Sequence, residues 1–152
     1  HLSTKLGDKK VLAVIIGEGE DRKKLEKKIH ELGLQGRIFL LGFIPEARKY
    51  LRGLDIFVLP SLKEGLPYVI MEAMQAGVPV IATDVGGNAD LLANDLSGCL
   101  VPAKNYKALA DSIEDLVSEA GKRSRLGREA QKIVNSKFRL EKMISQTSAL
   151  YE

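Results

Sequence analysis

PSLKEGLPYVIMEAMQAGVPVIATDVGG, residues 60–87, is the stretch whose reading decides the fold. The apolar run Ile56–Leu59 just before it has the length and composition of a buried strand, and Pro60 and Ser61 end that run. Lys63-Glu64-Gly65-Leu66 is then a loop. Pro67 fits the first turn of a helix, where its missing N–H has no intrahelical acceptor to lose. The helix is expected from about Pro67 to Ala76, ended by Gly77. Tyr68, Val69, Ile70, Met71, Ala73 and Met74 are apolar in nearly every direction, which predicts burial on most sides with Glu72 in the middle. A buried carboxylate needs partners. Glu72 lies near the helix N-terminus, the end where backbone N–H groups and the dipole favour anions, and Glu64 sits in the loop just ahead of it. The helical rise sets the two acids roughly 10 Å apart. Such a gap suits two acceptors facing hydroxyls of one long polar ligand better than a dyad sharing a proton.

Working outward, apolar runs alternate with helical patterns. Val11–Ile16 is a continuous apolar run, the pattern of a parallel strand covered on both faces. Gly17-Glu18-Gly19-Glu20 turns it into an amphipathic helix over about Asp21–Leu32, with Leu25, Ile29 and Leu32 on one face and Gly33 as cap. Strand, glycine turn and helix make a nucleotide-fold unit, but Arg22 stands where the dinucleotide fingerprint wants a third glycine, so no nicotinamide or flavin cofactor is expected. Arg37–Gly42 is the next strand, broken by Phe43-Ile44-Pro45. Glu46–Gly53 reads as a short helix with Ala47, Tyr50 and Leu51 inward.

Past the quoted helix, Val78–Ala82 is a core strand, with Pro79 near its start as strand prolines prefer. Thr83–Gly87 follows at its carboxyl end. Ligands of open α/β sheets sit outside the carboxyl ends of the strands, so this loop should border the same crevice as Glu64, with Gly86 and Gly87 allowing close backbone approach. Gly98–Pro102 is a last short strand. Asn105 can cap a helix over Tyr106–Glu119, with Leu109, Ile113, Leu116 and Val117 inward. Gly121 is expected to separate it from a helix over Ser124–Asn135, and a final helix runs from about Arg139 to Tyr151. The alternation implies an α/β fold with a parallel sheet.

Composition bounds the rest. The 152 residues suit one domain with one core. Hydrophobic residues at 45% and charged ones at 28% exclude a disordered default, and no apolar run approaches the ~18 residues of a membrane span. The net charge of +3 is mild, and Lys122-Arg123-Ser124-Arg125 reads as a solvated face. Eight aromatic residues, no Trp and no groove-reading motif argue against nucleic acid. Cys99 reads as a small buried hydrophobe. His1 and His30 make no metal-spaced cluster.

Glu64, seven residues, then Glu72, inside EGLPYVIMEAMQAGVPVIATDVGG, resembles the signature of the retaining glycosyltransferases of family 4, glycosyl transferases group 1. The preceding Pro-Ser, the Glu-Ala-Met, the Gly-Val-Pro-Val-Ile-Ala-Thr and the double glycine carry the resemblance together. It implies a Rossmann-like parallel sheet with helices on both faces, the C-terminal lobe of a GT-B fold. It further implies that Glu64 contacts hydroxyls of a donor sugar near the reacting centre, with Gly65, Leu66 and Pro67 beside it. Glu72 then grips the ribose hydroxyls of the nucleotide. By the same resemblance Gly17 and Gly19 lie close to the donor crevice, and Phe43 and Ile44 are candidates for the wall against the base. Gly86 and Gly87 complete the site. Relatives carry a glutamate where this chain has the shorter Asp90, a departure that leaves a plain helix-start acid as the competing account.

The implied enzyme is cytoplasmic, uses a nucleoside diphosphate sugar, needs no metal or cofactor and serves polysaccharide biosynthesis; a peripheral contact with anionic membrane stays open, since many relatives act on lipid-linked acceptors. The resemblance begins after the place where relatives carry the lobe's first strand, with an arginine and a lysine for the donor diphosphate. Without that strand two edges are left bare, so the sheet is expected either to close the gap or to borrow a strand through a homodimer. The N-terminal acceptor lobe is expected to be a missing partner, and the chain alone to be inactive. Two other classes remain: a stand-alone non-catalytic nucleotide-binding or interaction module from a truncated gene, and a hydrolase-like or epimerase-like enzyme using both glutamates directly, which wants carboxylates about 5 Å apart.

Overall fold

A computed structural model describes residues 11–92, 95–138, 144 and 148–149. The expectation for Leu2–Lys10 and most of that for Arg139–Tyr151 lie outside them. In chain order the elements are β1 (Ala13–Ile16), α1 (Arg22–Glu31), β2 (Ile38–Gly42), a 3₁₀ helix (Ala47–Gly53), β3 (Phe57–Leu59), α2 (Tyr68–Gln75), β4 (Val80–Thr83), α3 (Asn88–Leu91), β5 (Gly98–Val101), α4 (Tyr106–Ser118) and α5 (Ala120–Lys137). The chain forms two compact units, one built from residues up to 49 and one from residue 50 onward. The fold is α/β, Rossmann-like, with parallel strands.

In the larger unit β4 is the middle of a parallel sheet ordered β3-β4-β5. All four of its residues are buried, as a strand covered on both faces requires. Successive side chains alternate between faces, and two clusters follow. Val80 and Ala82 pack with Ile70, Ala73 and Met74 of α2, and with Leu91, Ala130 and Val134. Ile81 packs with Cys99 and Val101 of β5, and with Leu116 and Leu126. Helices α2 and α5 touch closely because two glycines let them. A Cβ on Gly127 would lie 2.1 Å from the Gly77 carbonyl oxygen, and Gln131 Nε2 donates to the Gln75 carbonyl at 2.8 Å.

Asn105 caps α4, its Oδ1 accepting from Ala108 N–H at 3.0 Å, as its residue type suggests. Gly121 does not separate two helices as expected. The break falls at Glu119 (φ −113°, ψ 83°), and α5 runs through Gly121, whose open surroundings leave nothing against it but solvent. Nor is Lys122–Arg125 a plain solvated face. Lys122 Nζ donates to Asp115 at 2.7 Å and reaches Asp95, Arg123 Nη1 bonds the Leu116 and Val117 carbonyls at the end of α4, and Arg125 Nη1 bonds the Asp95 carbonyl. Arg123 thereby satisfies carbonyls that a helix end leaves orphaned.

In the smaller unit β1 pairs parallel with β2, and α1 connects them. The expectation that Val11–Ile16 is covered on both faces fails: all four residues of β1 are exposed. Among the described residues β1 pairs with β2 and no other strand, and β3 with β4 and no other. Likewise Leu25 and Leu32, expected inward, are exposed, as is Tyr50 in the 3₁₀ helix, where Leu51 alone is buried.

Candidate functional site

Glu64 occupies the loop between β3 and α2 and is half-buried. Gly65 and Leu66 beside it are exposed, while Pro67 is buried and serves as the N-cap of α2 in extended geometry rather than as its first helical residue. Glu72 is the fifth residue of α2 and also half-buried; the helix is less enclosed than its apolar sequence suggests, since Tyr68 is 76% exposed. Among the described residues neither carboxylate makes a hydrogen bond or an ion pair.

The loop after β4 reaches the Glu64 loop backbone to backbone. Gly86 has φ +51°, and a Cβ there would stand 1.9 Å from the Glu64 carbonyl oxygen. Gly87 N–H donates to the Gly65 carbonyl at 2.7 Å, and a Cβ on Gly87 would meet that same oxygen at 2.6 Å. The double glycine therefore admits the neighbouring loop. Asp90 is exposed in the first turn of α3, where an acid favours the helix dipole.

Two residues that sequence reasoning passed over hold these loops. Thr83 Oγ1 donates to the Ser61 carbonyl at 2.5 Å, and Asn88 Nδ2, on a fully buried side chain, donates to the Thr83 carbonyl at 2.8 Å. The available signal was a hydroxyl at the end of an otherwise apolar strand. A small hollow of about 40 Å³ opens at the carboxyl ends of β3, β4 and β5, bordered by Pro60, Leu62, Thr83, Pro102 and Tyr106; neither Glu64 nor Glu72 lines it.

In the smaller unit Gly17 (φ +134°) follows β1 and its N–H donates to the Gly42 carbonyl at 2.8 Å. Gly19 faces open space. Phe43 is 75% exposed and Ile44 half-buried, just past β2. Among the described residues no three His, Cys, Asp or Glu are grouped as metal ligands would be, and no helix is long and apolar enough to cross a membrane.

The family model described as Glycosyl transferases group 1 matches residues 2–133. An uncharacterised glycosyltransferase of Methanocaldococcus jannaschii is 30% identical over 91% of this chain and 36% of its own length. A UDP-Gal:alpha-D-GlcNAc-diphosphoundecaprenol alpha-1,3-galactosyltransferase of Escherichia coli is 30% identical over the same shares, 91% and 36%. Anabaena HepE, solved in complex with UDP-glucose, superposes with a TM-score of 0.88 at 27% identity, over 97% of this chain and 42% of that one. The chain thus spans little more than a third of the length of these two curated relatives.

Proposed function

The chain belongs to the glycosyl transferases group 1 family, and from that premise we propose that it is the donor-binding C-terminal lobe of a GT-B enzyme of the retaining family 4 type. That enzyme transfers a sugar from a nucleoside diphosphate sugar to a glycan, lipid or other acceptor. One observation carries the reading: Glu64 and Glu72 are half-buried residues whose carboxylates have no partner among the described residues, and the backbone of Glu64 lies against the Gly86–Gly87 loop at the carboxyl ends of β3 and β4. A carboxylate with no donor is an acceptor left for a ligand. The UDP-glucose bound by HepE is a donor of the class proposed.

In this reading Glu64 accepts from hydroxyls of the donor sugar beside its anomeric carbon and Glu72 from the ribose hydroxyls. The positive end of α2 offsets the charge that grows on the leaving diphosphate. The anomeric carbon–oxygen bond to phosphate breaks, the electron pair leaves with the diphosphate, a bond to the acceptor oxygen forms on the same face, and the acceptor's proton passes to the departing phosphate oxygen. No metal enters the scheme. Gly65, Leu66, Pro67 and Asp90 border the sugar, with Gly17, Gly19, Phe43 and Ile44 assigned to the nucleotide. The acceptor comes from an N-terminal lobe, so this chain alone binds donor weakly and transfers nothing. Cytoplasmic residence with peripheral membrane contact goes with the reading. The unpaired edge of β1 supports strand sharing with a second copy; light scattering would show a concentration-dependent dimer, and a strict monomer would refute it.

Calorimetric titration with UDP and with GDP tests the main claim. Millimolar binding that Glu72→Ala abolishes and Glu64→Ala leaves in place for the nucleotide alone is the expected result. No binding of either nucleotide, or binding indifferent to Glu72→Ala, would overturn it.

A further inference from the structure

We propose that Thr83 and Asn88 are positioning residues that set the Glu64 loop, an inference that rests on Glu64 being part of a donor site. The chain from Ser61 to Gly65 is fastened at both ends. Behind Glu64, the Thr83 hydroxyl donates to the Ser61 carbonyl at 2.5 Å and lies 3.5 Å from the Leu59 carbonyl. Ahead of it, the Gly65 carbonyl accepts from Gly87 N–H at 2.7 Å. Asn88 closes the segment that carries Gly87: its Nδ2 donates to the Thr83 carbonyl at 2.8 Å while its own N–H bonds the Val85 carbonyl. Residues 83–88 are thus a ring pinned at its base to β4, and the ring holds Glu64 between two fixed points.

Neither side chain is what packing alone would select. Thr83 is 4% exposed at the end of an apolar strand, where a valine has the same shape and no hydroxyl to satisfy. Asn88 is fully buried, and its Oδ1 is the buried side-chain atom that finds no hydrogen-bond partner among the described residues. An apolar side chain would avoid that orphaned acceptor. What both polar groups share is that each bonds a backbone carbonyl of the paired loops: Thr83 ties its segment to Ser61 and Asn88 ties it to itself beside Gly87, whose N–H bonds Gly65, so the two ties between the loops flank Glu64.

The test uses the full chain with Thr83→Val, Thr83→Ser and Asn88→Leu. Titration employs UDP-glucose or GDP-glucose, whichever the wild-type chain binds more tightly, with hydrogen exchange read over residues 61–66 and thermal unfolding alongside. Thr83→Val and Asn88→Leu are expected to unfold near the wild-type temperature, to speed exchange over 61–66, and to weaken a nucleotide sugar about five- to tenfold, the affinity equivalent of one lost hydrogen bond. Thr83→Ser restores both readouts. Unchanged exchange in Thr83→Val and Asn88→Leu, or loss that Thr83→Ser does not rescue, overturns the proposal. Should the wild-type chain bind neither nucleotide sugar, the donor reading fails while exchange still decides whether the fastening exists. If Thr83→Val does not fold, Asn88→Leu carries the same readouts.

Discussion

Gly86→Ala is the substitution most exposed to failure. The backbone there has φ +51°, which costs an L-residue about 1–2 kcal/mol. The added Cβ would lie 1.9 Å from the Glu64 carbonyl oxygen and 2.8 Å from its carbonyl carbon. Since such atoms settle near 3.5 Å, one loop must retreat by roughly 1.5 Å. Overpacking of that kind costs about 1–3 kcal/mol, so the two effects together remove about 2–5 kcal/mol. At about 2–4 °C per kcal/mol for a chain of this size, the midpoint falls by roughly 4–20 °C. Gly65→Ala is the matched control: nothing stands within 4 Å of a Cβ there, so its effect should stay within about 0.5 kcal/mol. Urea denaturation of the pair reads both numbers. A Gly86→Ala chain as stable as Gly65→Ala would refute the claim that the two motif loops interlock through their backbones.

Gly127→Ala sets two effects of opposite sign against each other. Alanine favours a helix interior by about 1 kcal/mol over glycine, but its Cβ would meet the Gly77 carbonyl oxygen at 2.1 Å, backbone that cannot swing away. The expected net is a loss of about 1–3 kcal/mol, and a stabilised variant in thermal melts would show that α5 does not press on α2 as described. Burial pushes the Cys99 thiol above the ordinary thiol range, with Lys122 opposing the rise. Its folded pKa being raised, the unfolded chain releases the proton first as pH climbs, so this group's contribution is full below about pH 8.5 and declines above it. Alkylation by iodoacetamide should accordingly be slow in the native chain at neutral pH and rapid in urea; equal rates would place the thiol at the surface.

Much of this molecule is written in runs of neighbouring residues. The apolar run at 78–82 and the short strand at Gly98–Val101 appear close to where they were expected, because continuous apolar residues between turn formers have few other places to go. Asn105 announces its helix through its side chain, and Gly33 and Gly77 end theirs at positive φ. The signature around Glu64 and Glu72 fixes the family from the order of residues alone, since that order survives whatever packs around it.

The remainder was decided by contacts between segments far apart in sequence. Val11–Ile16 carries the pattern of a doubly covered strand, yet β1 lies exposed, because a pattern records what a strand is suited to face and not whether a neighbour is there. Lys122–Arg125 looks like solvent-facing charge until the end of α4 brings it carbonyls to bond. Gly86 and Gly87 stand out in sequence as a double glycine, and the tertiary structure sets both against the carbonyl edge of the Glu64 loop about twenty residues earlier. Sequence therefore determined the elements and the family, which depend on local periodicity and residue order. Only the assembled structure decided which backbone touches which, because close approach is a property of two segments and neither encodes it alone.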